Sequence, residues 1–546
     1  MIQRKILCEH DYLHIPLIPT QGRKRYEVQI WDGGDLFLSP SLALADEGGE
    51  YFFLNVKRFR GRELLFLVMD SDGVSEKALD RIVAGPAATA ENVLYPQLYR
   101  ETVRPAYHFT SKRGWLNDPN GLYFKDGIFH MYYQHNPWGT PHGKVNVSWG
   151  HAVSTDLLHW EERDCAIWPW RRDWFIASGS AVVDDEGRAG YGEGAVIAAF
   201  TPLGSRNLVS GKPDYPSGGQ FLAASMDDGN TFQRFLHEAV IPTSEGKGWR
   251  DPRLFRYEDH YVAAVYETNE KGANCVTFYV SEDFHDWKRA SSNDDLFECP
   301  DIFPLQIDTS NEIKWVLYGA NGVARVGDFD GYSFKESGHS NLLDYGNSVY
   351  AGQTWSHHPQ GKRVQISWIR SLGGIGSDLI NQGIYEGIPF SQCMTVPTEL
   401  ALKHMGGHLH VCRKPIEQLE QLKGDVLATG DFLLDAGEKE LPVHCPACYS
   451  IELTETDGTI SILAGGHAIS FDPETRILSF ENGSSVVMNR RELHFEVFTD
   501  ATTLELCFED SIMATYSLSE ERNIGISVKG NCRMQYICWG MENIWL

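Results

Sequence analysis

Gly121-Leu122-Tyr123-Phe124-Lys125-Asp126-Gly127-Ile128-Phe129-His130-Met131-Tyr132-Tyr133 is two apolar and aromatic runs joined by an Asp-Gly pair. Aromatic side chains suit a pleated surface, and Asp-Gly tolerates the positive φ of a tight turn, so the stretch predicts a β-hairpin. The same grammar, short apolar runs punctuated by Gly, Asp, Asn and Pro, extends along the chain and predicts an all-β protein. Segments of helical spacing are few, with Lys77–Val83 and Ile416–Leu422 the better candidates.

Outward from this hairpin a repeat emerges. Ser154-Thr155-Asp156-Leu157-Leu158-His159-Trp160, Ser225-Met226-Asp227-Asp228-Gly229-Asn230-Thr231-Phe232 and Ser281-Glu282-Asp283-Phe284-His285-Asp286-Trp287 share a serine, an aspartate two on, and a later aromatic. A degenerate copy is Gly327-Asp328-Phe329-Asp330-Gly331-Tyr332-Ser333-Phe334. Each copy follows an apolar run, so one hairpin recurs in each of several sheets around an axis, the pattern of a β-propeller. The flanks lack the repeat but stay β-patterned, Tyr51–Val56 before it and Glu492–Phe498 and Thr503–Phe508 after it. The expected domains are an N-terminal β-rich unit (1–103), a propeller (104–397) and a C-terminal β-sandwich (398–546).

Bulk properties narrow the function. A chain of 546 residues is long enough for several domains, and 42% hydrophobic with 12% aromatic residues furnishes their cores. The net charge of −26 repels phosphate backbones and anionic lipid surfaces, which argues against nucleic-acid or membrane partners. Basic runs at Arg23-Lys24-Arg25 and Arg171-Arg172 are short and interrupted. The N-terminus meets Glu9 and Asp11 before an apolar run of signal-peptide length, which gives the expectation of a cytoplasmic protein. Eleven cysteines, an odd number, suit reduced thiols. His444 followed by Cys445-Pro446-Ala447-Cys448 has metal-like spacing but no second pair, and is read as structural, with no metal or other cofactor expected.

Three carboxylates in the repeat region stand in unusual company: Asp118 in Trp115-Leu116-Asn117-Asp118-Pro119-Asn120-Gly121, Asp251 in Trp249-Arg250-Asp251-Pro252, and Glu298 in Glu298-Cys299-Pro300-Asp301. The Arg250 guanidinium is expected to hold Asp251 ionised. Carboxylates converging from different sheets suit glycoside cleavage through a covalent intermediate. One acid attacks the anomeric carbon and a second, about 5–5.5 Å away, protonates the departing oxygen.

These three motifs resemble, in order and spacing, those of glycoside hydrolase family 32, the group of invertases, inulinases and levanases. Tyr132–Pro137, Trp149–Ser154, Ser178–Val182, and Asp344-Tyr345-Gly346 followed by Tyr350-Ala351 add to the likeness, which runs from about Tyr107 to Leu400 and weakly beyond. The resemblance implies a five-bladed propeller with a C-terminal sandwich and anomer-retaining hydrolysis of fructose-containing oligosaccharides. Asp118 would be the nucleophile, Glu298 the acid/base, and Asp251 a transition-state stabiliser kept charged by Arg250. Asn117, Gln134, Trp149, Ser178, Arg250, Asp344 and Trp368 match positions that bind the fructosyl unit.

Departures from the family pattern touch the pocket rim. Ala177 replaces the aromatic before Ser-Gly-Ser, with Trp174 or Phe175 as substitutes. His142 stands where a tryptophan is expected, with Trp138 nearby; Ser348 replaces an acidic residue, and Ile369–Gly374 replaces the aromatic signature after Trp368. The alternatives left open are a fructosyltransferase, a hydrolase of an unusual fructoside such as a difructose anhydride, and a non-catalytic fructan-binding protein. The N-terminal unit is expected to pack on the propeller or to mediate homo-oligomerisation, ahead of binding sugar through Trp31 or Tyr51.

Overall fold

The computed structural model describes residues 1–18, 24–69, 76–86, 98–140, 142, 146–169, 174–204, 219–235, 239–242, 249–370, 388–518 and 524–546. Arg23, Arg171, Arg172 and residues 371–374, singled out in the sequence, lie outside these.

The Gly121–Tyr133 stretch is a hairpin inside a longer pair, Gly114–Lys125 against Ile128–Asn136, turning at Asp126 (φ 49°) and Gly127 (φ 85°). Ser148–Ser154 and Glu161–Ile167 complete a four-stranded antiparallel sheet, joined on its inner side by Phe390–Ser391. Four further sheets follow in chain order, with inner strands Trp174–Asp184, Arg250–Tyr257, Asp301–Gln306 and Val349–Thr354. Side chains stitch each inner strand to its neighbour. Ser180 donates to the Pro252 carbonyl at 2.7 Å, Arg253 Nε lies 2.8 Å from Asp301 Oδ1, and the Thr354 N–H donates to Asp301 Oδ2 at 2.8 Å. A parallel bridge between Tyr123 and Ser356 brings the last inner strand beside the first, closing the ring of a β-propeller.

The Ser/Asp repeat has one structural job. In each copy it turns the third strand of a sheet into the fourth: Ser154, Ser225 and Ser281 donate to Asp156, Asp227 and Asp283 at 3.0, 2.7 and 3.1 Å. Each aspartate then accepts main-chain N–H groups that would otherwise be unpaired in the turn. In the degenerate copy Asp330 does this alone, accepting from Tyr332 and Ser333.

The boundary expected at 397 is corrected. Thr398–Met405 pairs with Val364–Ile369 and with His408–Pro415, so these two strands finish the last propeller sheet. The helix expected at Ile416–Leu422 is a 3-10 turn, Glu417–Leu422, and the one at Lys77–Val83 is a short α-helix, Glu76–Asp80, with Val83 starting a strand. The sandwich begins at the long strand Lys423–Glu440 and is built around two more, Ala447–Ala464 and Ile526–Met541. Bulges between Thr454 and Ser461 reverse which face is buried, from Ile451 and Leu453 to Ile460 and Ile462. The sheet thereby folds over one core that includes Phe471, Phe495, Phe508 and Val528.

The N-terminal residues form two small sheets around Leu13, Ile15, Val28, Ile30, Leu64 and Phe66. This unit packs on the propeller: the Trp138 and Phe52 rings meet at 4.1 Å, tilted by 46°, and Asn146 exchanges two 2.8 Å hydrogen bonds with the main chain of Ser41.

Candidate active site

Four of the five inner strands carry the same irregularity at the same level. Asn117-Asp118, Ala177-Ser178, Asp251-Pro252 and Ala351-Gly352 are each two residues set against one on the neighbouring strand, where Gln134, Thr201, Val265 and Ser367 stand opposite. Such β-bulges re-aim a side chain out of the pleat. The remaining inner strand is preceded by Glu298 and Cys299, at φ 50° and 38°. Asp251 (φ 61°) and Ala351 (φ 52°) share this left-handed conformation, which costs energy in non-glycine residues and is held by surrounding structure. At Gly179 the absence of a side chain lets the strand end its bulge against the Ala199 carbonyl, which a Cβ would strike.

These irregularities bring the three sequence-predicted carboxylates together. Cys299 links two of them, its N–H donating to Asp251 Oδ2 at 3.1 Å and its thiol lying 3.7 Å from Asp118 Oδ2. Ser178 Oγ donates to the same Asp118 oxygen at 2.7 Å, while Asp118 Oδ1 carries no hydrogen bond. Burial pushes the Asp118 carboxyl above its usual range, and Ser178 and Asn117 pull it back. Glu298 is held at both oxygens, Oε1 by the Arg250 guanidinium and Oε2 by the Tyr350 hydroxyl. Burial and the Glu298 charge keep the proton on Tyr350.

The expectation that Arg250 holds Asp251 ionised is corrected. Arg250 is in direct contact with Glu298 and lies 3.6 Å from Asp251. Burial dominates at Asp251, and with help from the Glu298 and Asp118 charges it raises the carboxyl to about 7 against the pull of Arg250. The guanidinium also covers the Tyr266 ring at 4.7 Å.

The predicted sugar-binding residues divide. Asn117, Gln134, Ser178 and Arg250 lie at the bulges or on the carboxylates, and the Gln134 amide nitrogen has no hydrogen-bond partner. Trp149 and Trp368 have no exposed surface. Trp149 is in the packing between the first two sheets, its indole donating to Ala177, and Trp368 packs edge-on to Trp115. Asp344 is spent elsewhere, with its carboxylate on Arg413 and Thr515 at the junction with the sandwich. Trp138 is also unavailable to the pocket, because it is buried in the N-terminal core. Of the suggested aromatic substitutes, Trp174 packs on Phe221, whereas Phe175 and His142 face one another at 6.3 Å, with His142 5.8 Å from Trp115. Cys299 and Tyr350 received no role from the sequence; their place in the quoted motifs was the only signal.

Among the described residues no group of three or more His, Cys, Asp or Glu is arranged to hold a metal ion. Cys445 is exposed and Cys448 buried.

Comparison with known proteins gives the family. Residues 108–414 match the model of the glycosyl hydrolases family 32 N-terminal domain. The levanase of Bacillus subtilis (strain 168) is 32% identical over 353 residues, 60% of this chain and 49% of the levanase, so the match spans about half of that relative. An extracellular exo-inulinase of Aspergillus awamori is 29% identical over 371 residues, 60% of this chain and 67% of the inulinase. Among solved structures, the Aspergillus awamori exo-inulinase superposes with a TM-score of 0.69 at 22% identity, covering 82% of this chain and all of the inulinase. A Schwanniomyces occidentalis fructofuranosidase complexed with fructose gives 0.65 at 21% identity, covering 80% and 98%. With more than half of its length matched by the family model, the chain belongs to glycosyl hydrolase family 32.

Proposed function

We propose that the chain is a retaining β-fructosidase that removes terminal fructosyl units from sucrose, fructo-oligosaccharides or fructans. The observation that carries this reading is the convergence of the carboxylates: Cys299 bridges Asp118 and Asp251, and the neighbouring residue Glu298 has both oxygens oriented, by Arg250 and Tyr350. The Asp118 carboxylate attacks the anomeric carbon of the fructosyl unit as the bond to the leaving oxygen breaks, and Glu298, in its protonated form, gives that oxygen its proton. Ser178 and Cys299 take up charge on Oδ2 of Asp118. Asp251 accepts hydrogen bonds from fructose hydroxyls that tighten as the ring flattens toward an oxocarbenium ion. The fructosyl ester on Asp118 is then hydrolysed by water that gives its proton to Glu298. The names of the relatives, levanase and exo-inulinase, support a fructan or sucrose substrate. No helix among the described residues is long and apolar enough to cross a membrane.

The test is a panel of sucrose, 1-kestose, inulin, levan and difructose anhydrides, with released sugars followed by chromatography and the first-formed anomer by NMR. Fructose released as the β-anomer, and lost in both Asp118→Ala and Glu298→Ala, is the expected result. Transfer products in place of fructose would assign a fructosyltransferase. Silence across the panel with retained fructan binding would assign a binding protein.

A further inference from the structure

The strand Lys423–Glu440 is an edge. It pairs with Ile526–Met541 on one side and with no strand on the other among the described residues. It is long, 18 residues, and none of them is buried. Along its regular stretch the alternation is clear. Ala428, Gly430, Phe432 and Leu434 are half-buried toward the sandwich core, and Thr429, Asp431 and Leu433 are exposed, as are Leu427 and Asp435 at the bulges on either side. Three of the exposed residues are large and apolar, Val426, Leu427 and Leu433, at 56, 44 and 75% exposure. An uncovered apolar edge is a template for pairing with another strand.

We propose that this edge pairs with the same edge of a second copy of the chain, antiparallel and two-fold about Gly430. The order of side chains is what selects a second copy. In Val426-Leu427-Ala428-Thr429-Gly430-Asp431-Phe432-Leu433-Leu434, reversal about Gly430 sets Val426 against Leu434, Leu427 against Leu433, Ala428 against Phe432 and Thr429 against Asp431. On the core-facing side, a large ring meets a small methyl on either side of a bare glycine pair. On the outer side two leucine pairs flank threonine hydroxyls placed to donate to carboxylates. A two-fold interface uses one patch twice and must be self-complementary in this sense.

The charges are consistent with closure. Asp431, which would otherwise repel a partner strand, is held by Arg533 at 2.8 and 3.1 Å and by Gln535 at 2.9 Å. The like-charged pair created by this register, Asp425 against Asp435, falls where bulges already break the strand. The regular ladder spans seven residues, Ala428 to Leu434, about 23 Å at ~3.3 Å per residue, and Leu427 extends it from a bulge at one end. It is widened by the exposed Ile537 and half-exposed Trp539 of the adjoining strand. Pairing would also cover the Phe432 and Leu434 side chains that the sandwich leaves half open.

Light scattering and sedimentation of the full chain at micromolar concentration test this. They are done at about 0.15 M salt, where the Debye length is ~8 Å and the net charge is screened. The expected mass is twice 61.5 kDa. Leu433→Asp or Leu427→Lys should each halve it without changing fructose release per chain. The double variant sets a lysine against each aspartate across the two-fold and should restore the dimer. A wild-type mass of one chain, or a dimer indifferent to either single substitution, would overturn the interface; single variants that dissociate without rescue in the double would overturn the register.

Discussion

Ser178 Oγ donates to Asp118 Oδ2 at 2.7 Å across two neighbouring propeller sheets, leaving Oδ1 of the same carboxylate without a partner. The two residues stand on bulges of adjacent inner strands, so the bond ties the two sheets together at the carboxylate and fixes its orientation.

Ser178→Ala should therefore reduce kcat/KM by roughly 10–100-fold. A hydrogen bond to a charged group contributes ~1.5–3 kcal/mol, and each ~1.4 kcal/mol is tenfold. Because Ser178 pulls the Asp118 carboxyl down, its loss should also move the acidic limb of the kcat/KM profile to higher pH. A pH series on the purified variant reads both effects. An unchanged limb would mean that Asp118 does not set it.

Asp251 sets a second expectation. Its folded carboxyl titrates near 7, above its unfolded value, because burial outweighs Arg250. Between the unfolded value and about 7 the folded state binds a proton that the unfolded state has released, so this group's contribution to stability falls as pH rises through that window. Above 7 an ionised, buried Asp251 is a standing cost on the order of 1–4 kcal/mol. Asp251→Asn should raise Tm at pH 8, leave it nearly unchanged at pH 4, and abolish turnover. Equal Tm shifts at both values would contradict the assignment.

Asp344 was matched to the pocket, yet its contacts are structural. Asp344→Ala leaves the Arg413 guanidinium buried without its carboxylate, a loss of about 3–5 kcal/mol. The expected outcome is a lower Tm, with KM for the fructosyl substrate unchanged in the fraction that remains folded. A raised KM at unchanged Tm would return Asp344 to the substrate.

What could be read in advance follows from how local each feature is. The hairpin at Asp126-Gly127 and the Ser/Asp turns are short-range, since their hydrogen bonds close within a few residues. Asp118, Asp251 and Glu298 were legible because each lies in a short contiguous motif, although the first two stand on strand bulges. The faces of Trp149 and Trp368 were not, because each bulge adds a residue to one strand and shifts the in/out parity that strand reading depends on. The boundary at 397 failed for a related reason. The last two strands of the propeller carry the same alternation as a sandwich strand, and only their pairing with Val364–Ile369 assigns them. The titration of Asp251 depends on burial among three sheets, which its neighbour Arg250 in the sequence could not reveal.

The last expectation concerns how the sandwich is held to the propeller. His108, fully buried where the propeller begins, places Nδ1 2.8 Å from Asp500 and Nε2 3.0 Å from Glu505, both on the sandwich. Burial opposes a charge on the ring, but the bonds to the two carboxylates override it and raise the imidazole to about 9. The folded value exceeds the unfolded ~6.5. The stabilisation is thus fully present below about 6.5 and is lost as pH rises through about 9. Removing the ring leaves two buried carboxylates facing one another, a cost of about 3–5 kcal/mol. His108→Ala should lower Tm strongly at pH 6 and much less at pH 10. The Asp500→Asn/Glu505→Gln pair, which removes the charges while keeping the shape, should flatten the wild-type fall in Tm between pH 7 and 10. Thermal unfolding across that range decides it, and a His108→Ala deficit of the same size at both ends would mean that the ring contributes packing and not charge.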